Sequence, residues 1–179
     1  MTLDAALTEI AAFLGLDADA LLAYALEDTL GGFDPDPAKA TFPGGSLWGV
    51  EGQVLYALVR ALRPQHALEL GTWYGASATH ILAAQQRNGY GALYSVDWWE
   101  GAGTLVPDTL RDWWTMTSME GVSYIDSKLH RNIVSFCFED MIHSESEVYA
   151  IVTALKPKLR PGAVVVHHDS EHGDDGRQI

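Results

Sequence analysis

The chain opens with apolar residues at helical spacing: Leu3, Leu7, Ile10 and Leu14, then Leu22, Leu26 and Leu30, with Gly15 and Asp17 interrupting the pattern. Spacings of three and four residues place such side chains on one face of a helix, so two short helices are expected before residue 30. Glycine and proline are frequent from Gly31 to Gly45, a composition that favours turns over regular structure. Ser46 then stands in position to cap a helix whose stripe, Val50, Val54, Leu58 and Leu62, stops ahead of Pro64.

From residue 66 onward, short apolar runs alternate with amphipathic segments. The pattern predicts strands at 66–70, 91–97, 121–125, 133–139 and 162–168, and helices at 76–88, 107–119 and 144–159. Strands alternating with helices define an α/β protein with a doubly wound parallel sheet covered on both faces. The chain reads as one domain, 1–179, with a helical cover and loop at 1–45 and the sheet-bearing core at 46–179. Right-handed crossovers align the C-terminal ends of parallel strands along one edge, where ligands bind. Glu69, Asp97, Asp126, Asp140, His168 and Asp169 each fall at or just after an expected strand end, and so converge on one polar cleft.

Composition narrows the possible partners. A formal charge of −13 repels phosphate backbones, which argues against nucleic acid as a partner. The longest apolar runs, such as Ala163 to Val166, are too short to cross a bilayer, so no membrane partner is expected. The first residues lack the basic start and apolar core of a signal peptide, and Cys137 is the single cysteine, which together predict a cytoplasmic protein without an internal disulfide. Cys137 lies within the apolar run Ile133 to Phe138 and reads as a core thiol.

The segment Ala67-Leu68-Glu69-Leu70-Gly71-Thr72-Trp73-Tyr74-Gly75-Ala76-Ser77, followed by Tyr94-Ser95-Val96-Asp97, carries the densest chemical information. Glycines let a chain turn sharply after a strand and approach a ligand closely, and a carboxylate at the end of the next strand suits the paired hydroxyls of a ribose. Dinucleotide sites commonly begin their glycine pattern with a glycine where this chain has Glu69. A carboxylate there is a poor neighbour for a pyrophosphate and a good one for a sulfonium or amino group, which favours S-adenosylmethionine over NAD.

Glu69-Leu70-Gly71-Thr72-Trp73-Tyr74-Gly75-Ala76-Ser77, with Gly52-Gln53 before it, resembles the class I S-adenosylmethionine-dependent methyltransferases, in particular the catechol and caffeoyl-coenzyme A O-methyltransferase branch. Phe138-Glu139-Asp140-Met141-Ile142-His143 and Leu159-Arg160-Pro161-Gly162-Ala163-Val164-Val165-Val166-His167-His168-Asp169 are similar to related small-molecule families that include macrolide-sugar O-methyltransferases and cephalosporin-hydroxylase-like proteins. The resemblance covers residues from about 46 to 170. It implies a Rossmann-like sheet of five strands in the order 3-2-1-4-5. It also implies that Glu69, Gly71 and Gly75 shape the methionine turn with Ser77 near the carboxylate, that Asp97 grips the ribose and Trp98 covers the adenine, and that Asp126 and Ser127 meet the adenine edge.

At the chemical end, Asp140, His168 and Asp169 come from neighbouring strand ends and either hold one divalent cation or serve as hydrogen-bonding groups without one. In metal-dependent relatives such an ion binds the acceptor hydroxyl and lowers its pKa. Those relatives commonly have a carboxylate where this chain has His168, and imidazole moves the preference from Mg²⁺ towards Mn²⁺, Fe²⁺ or Zn²⁺. His143 stands where related families often place a histidine, either to accept the acceptor's proton or to cap the next helix. Trp113 and Trp114 either line an acceptor pocket or belong to the core, His167 points away from the site, and His172 is linked to it by proximity alone. The helices before residue 30 and the loop at 31–49 are expected to cover the cofactor.

Complete relatives continue past the fifth strand with a helix and an antiparallel strand pair, whereas this chain stops ten residues after Asp169. A reduced fold is therefore expected, with the fifth strand as an open edge and a homodimer or higher oligomer as its consequence. The functional expectation is O-methylation of a small-molecule hydroxyl, with Asp140 and His143 as catalytic residues. Its rival is a protein that holds S-adenosylmethionine or S-adenosylhomocysteine without transferring methyl.

Overall fold

The computed structural model describes residues 2–34, 36, 38–44, 46–141 and 144–169. Two helices open the chain, α1 (Leu3–Leu14) and α2 (Ala18–Glu27), capped where Thr2 and Asp17 accept the amides of Ala5 and Ala20. Leu7, Ala11, Leu21 and Ala25 bury one face of this pair against Ala57 of α3 (Gly49–Leu62). α3 begins two residues later than Ser46 would place it, with Trp48 at the cap. The Glu51 carboxylate accepts the Trp48 amide at 2.8 Å, so the cap is built from within the first turn and Ser46 has no part in it. The two N-terminal helices lie beside α3, and the segment that reaches the strand ends is the loop between α2 and α3.

Five strands follow: β1 (His66–Leu70), β2 (Ala92–Asp97), β3 (Trp114–Ser118), β4 (Val134–Glu139) and β5 (Leu159–His167). All pair in parallel, in the order β3-β2-β1-β4-β5, which is the expected Rossmann-like arrangement. α4 (Ala76–Asn88) joins β1 to β2, and with α3 covers one face of the sheet over a core that includes Leu58, Ile81, Leu93 and Phe136. α5 (Gly121–Lys128) and α6 (Glu145–Leu155) cover the other over Leu68, Leu70, Ile125, Ile151 and Leu155. Each fully buried aliphatic side chain of this kind contributes about 1.5–3 kcal/mol. Cys137 is buried among them, and burial pushes its thiol well above the usual range, as expected of an inert core residue.

The segment between β2 and β4 departs from the sequence pattern. The expected helix at 107–119 is a six-residue 3₁₀ helix, Asp108–Trp113, followed at once by β3, and the expected strand at 121–125 is α5. Trp114, Thr115 and Thr117 favour extended backbone, and Glu120 accepts the amides of Val122 and Ser123 at 2.8 and 2.7 Å, which starts a helix where Val122, Tyr124 and Ile125 read as a strand. Asp126 and Ser127 consequently sit on the exposed side of α5, where the Ser127 hydroxyl donates to the Ser123 carbonyl, and neither ends a strand. Among the described residues, no helix is long and apolar enough to cross a membrane.

Candidate active site

The turn after β1 is held from three directions. Gly71 has φ +86°, and a Cβ there would lie 2.0 Å from the Asp140 carbonyl, so only glycine lets the β1 and β4 ends lock together. The Asp140 amide donates to Leu70 and the Gly71 amide to Val96, extending the sheet past its strand ends. Asp97 Oδ2 accepts the amides of Thr72 and Trp73 at 2.9 and 3.0 Å, and Oδ1 accepts that of Trp99 at 2.9 Å. The carboxylate expected to grip a ribose thus also fixes the shape of the glycine turn.

Glu69 is fully buried beneath the turn, accepting hydrogen bonds from Ser77 at 2.6 Å and Thr72 at 2.9 Å. Burial pushes its carboxyl up to about 7, against the opposing effect of hydrogen bonds from Ser77, Ser95 and Thr72. Such a group takes up or releases a proton near neutrality in response to a charge placed above it.

Aromatic rings border the turn. Trp73 adopts a left-handed φ of +46°, packs its ring against Trp99 at 4.6 Å with 32° between planes, and donates its ring N–H to the Gly44 carbonyl at 3.4 Å. Trp98 is 65% exposed, open to cover a ligand, while Trp99 is packed between Trp73 and Tyr74. Trp113 and Trp114 pack against the α3–α4 core, and Trp114 donates to the Ser95 hydroxyl at 2.8 Å. Both therefore take the core role.

At the end of β4 and β5, Asp140, His168 and Asp169 each offer a ligand atom, and those atoms lie within 4.8 Å of one another. His168 Nδ1 stands 3.1 Å from Asp140 Oδ1 and 3.5 Å from Asp169 Oδ2, while its Nε2 is 3.4 Å from Glu51 Oε2. Burial works against a charged imidazole here, but hydrogen bonds to Asp140 and Glu51 and the charges of Asp140 and Asp169 prevail and push it up to about 10. His167, the last residue of β5, turns the other way and pairs with Glu139 at 2.8 Å. His143 and His172 lie outside the described residues.

One cleft joins these parts. Gly71, Thr72, Trp73, Ala76 and Ser77 line one side, Asp140 another, and Ser46 and Leu47 of the loop close it, leaving about 10 Å³, the space of a single water. The loop is anchored by His80, whose Nδ1 is 2.6 Å from Asp28 Oδ2 and whose Nε2 is 3.0 Å from the Gly31 carbonyl. Gly52 leaves room for the ring, since a Cβ there would meet the imidazole.

Sequence reading assembled Glu69, Gly71, Gly75, Ser77, Asp97, Asp140, His168 and Asp169 at one edge, as the fold does. It missed Glu51, His80 and Asp28. Glu51 belongs to a helix before the motif, and its only local signal is the i, i+3 spacing to the Trp48 amide. Asp28 and His80 are 52 residues apart and no local pattern joins them.

A parallel sheet in this order, with an acidic glycine turn after its first strand and a carboxylate closing its second, defines a nucleotide-cleft α/β protein. The chain belongs to the methyltransferase domain family, whose model matches residues 68–170. The O-methyltransferase TomG from Streptomyces achromogenes, involved in tomaymycin synthesis and solved in complex with SAM, is 20% identical, with a TM-score of 0.59 over 84% of this chain and 71% of that one. The SAH-bound Podospora anserina methyltransferase PaMTH1 is 13% identical, with a TM-score of 0.60 over 84% and 68%. A methyltransferase from Geobacter sulfurreducens gives 15% identity and a TM-score of 0.54 over 92% and 80%. A search of curated proteins finds no significant match.

Proposed function

We propose that this domain binds S-adenosylmethionine and transfers its methyl group to a hydroxyl of a small molecule. The observation that carries the reading is the single cleft in which the glycine turn over Glu69 meets Asp140. On this reading Gly71, Gly75 and Ser77 receive the methionine portion, Asp97 the ribose and Trp98 the adenine. Glu69 supplies negative charge beneath the cationic end. The acceptor lies towards Asp140 and His168, where its oxygen attacks the methyl carbon in line as the bond from carbon to sulfur breaks. The hydroxyl proton passes to a base, a role assigned to His143, three residues after Asp140 in the sequence. Holding donor and acceptor in line supplies most of the rate.

The donor set also fits a divalent cation. Asp140, His168 and Asp169 would hold it, a mixed oxygen and nitrogen set that favours Mn²⁺, Fe²⁺ or Zn²⁺ over Mg²⁺. A bound cation would lower the pKa of the acceptor hydroxyl.

A second reading, a protein that holds S-adenosylmethionine or S-adenosylhomocysteine without transfer, draws on the near closure of the cleft by Ser46 and Leu47. Calorimetry with S-adenosylmethionine and a labelled-methyl assay on catechol and sugar acceptors separate the two. The enzyme reading expects binding and transfer in the natural chain, with Asp140→Ala keeping the first and losing the second. Binding without transfer to any acceptor supports the second reading, and a preference for NAD overturns both.

A further inference from the structure

The sheet edge opposite the cleft carries a second hollow. α5 has eight residues, about 12 Å of helix, and ends at Lys128 before it covers the starts of the strands beneath it. Between its end and the first residues of β1 and β4 lies a cavity of about 230 Å³, whose walls include His66, Tyr94, Tyr124, Lys128, His130 and Ile133. Space of this size holds roughly ten non-hydrogen atoms at interior packing density.

Three observations define what fits. The walls are ring-shaped: Tyr124 is buried, and the His66 ring stacks on Tyr94 at 6.1 Å with 23° between planes. Lys128 and His130 give the lining its basic groups, in a chain of net charge −13. The segments 127–135 and 156–163 together hold Lys128, Arg131, Lys156, Lys158 and Arg160, five of the eleven Lys and Arg residues, and no Asp or Glu. Those segments are tied together, since the Ile133 amide donates to the Lys158 carbonyl at 2.8 Å and Lys158 Nζ to the Leu129 carbonyl at 2.8 Å. The acidic first turn of α6 and the carboxylates after β4 belong to the other edge. Finally, His66 Nδ1 is buried without a hydrogen-bond partner, a cost that a ligand hydroxyl relieves once the ring turns about its Cβ–Cγ bond.

We propose that this hollow is a binding site for a small hydroxylated aromatic carboxylate. The ring enters between Tyr94 and Tyr124, the carboxylate meets Lys128 and His130, and the hydroxyl reaches His66. The site stands apart from the cleft and does not depend on the reaction proposed for it.

Titration calorimetry of the full chain with 4-hydroxybenzoate tests this. One saturable site is expected, with benzoate and phenol each binding about tenfold more weakly, the worth of one hydrogen bond or one part-screened charge. Lys128→Met weakens 4-hydroxybenzoate about tenfold and leaves phenol unchanged, while Ile133→Trp fills the hollow and abolishes both. If Ile133→Trp does not melt cooperatively, the Lys128→Met comparison decides alone. The proposal is overturned by absence of saturable heat up to about 10 mM. It is equally overturned by binding indifferent to Lys128→Met, or by binding lost in Asp140→Ala, which places the probe in the cleft.

Discussion

Glu69 has a carboxyl held near neutrality by burial, with a value of about 7 in the folded chain against 4.5 for the free group. A raised carboxylate contributes stability that is complete below pH 4.5 and lost as pH rises through 7, here on the order of 3 kcal/mol. Glu69→Gln should flatten this loss, measured as the difference in urea-unfolding free energy between pH 5 and pH 8. A cationic ligand above the turn favours the ionised form, so S-adenosylmethionine affinity should rise between pH 6 and pH 8 in the natural chain and stay level in the Gln variant. Asp28 and His80 make a different case, because their pairing is buried and links distant parts of the chain. Asp28→Ala removes a buried hydrogen-bond partner of the His80 imidazole and should cost about 1–3 kcal/mol. Faster hydrogen exchange at the Phe33 amide, which donates to Leu47 across the base of the loop, would show that the loop loosens with it. Glu69 could be read from the sequence because it sits inside a local motif. His80 could not, since its partners come from Asp28 and Gly31 and only tertiary structure brings them together.

At the scale of elements, the unit β1–α4–β2 is legible because short apolar runs end at glycine and at Asp97, and tertiary packing reinforces the same boundaries. β3 and α5 are not. Leu110, Trp113 and Trp114 fit helical spacing, and an outer strand that is only half buried lacks the continuous apolar run that marks β1 and β4. The Glu120 cap decides where α5 begins. Glu120→Ala should therefore destabilise the fold by about 1 kcal/mol, read as a lowered melting temperature with cofactor affinity unchanged. Gly71→Ala is the contrasting case. Its Cβ would collide with backbone at Asp140 and its positive φ disfavours any side chain, so loss of cooperative folding or of S-adenosylmethionine binding is expected by thermal melting and calorimetry.

For the whole molecule, β5 is one of the two edge strands of the sheet among the described residues, and Ala163 to Val166 along it are only half buried. A strand with one unpaired side is a template for a second chain. We propose a homodimer or higher assembly on this basis, and light scattering should give at least twice the chain mass at micromolar concentration. A mass equal to one chain would remove the idea. The pairing of Trp73 with Trp99, and the reach of its indole N–H to Gly44, give the molecule an optical gauge of its own. Indoles in close contact alter each other's excited states, and a hydrogen bond donated by the ring N–H shifts emission. Lifting the loop breaks the Gly44 contact, so entry into the cleft becomes visible as a change in native fluorescence, with Trp73→Phe identifying its source.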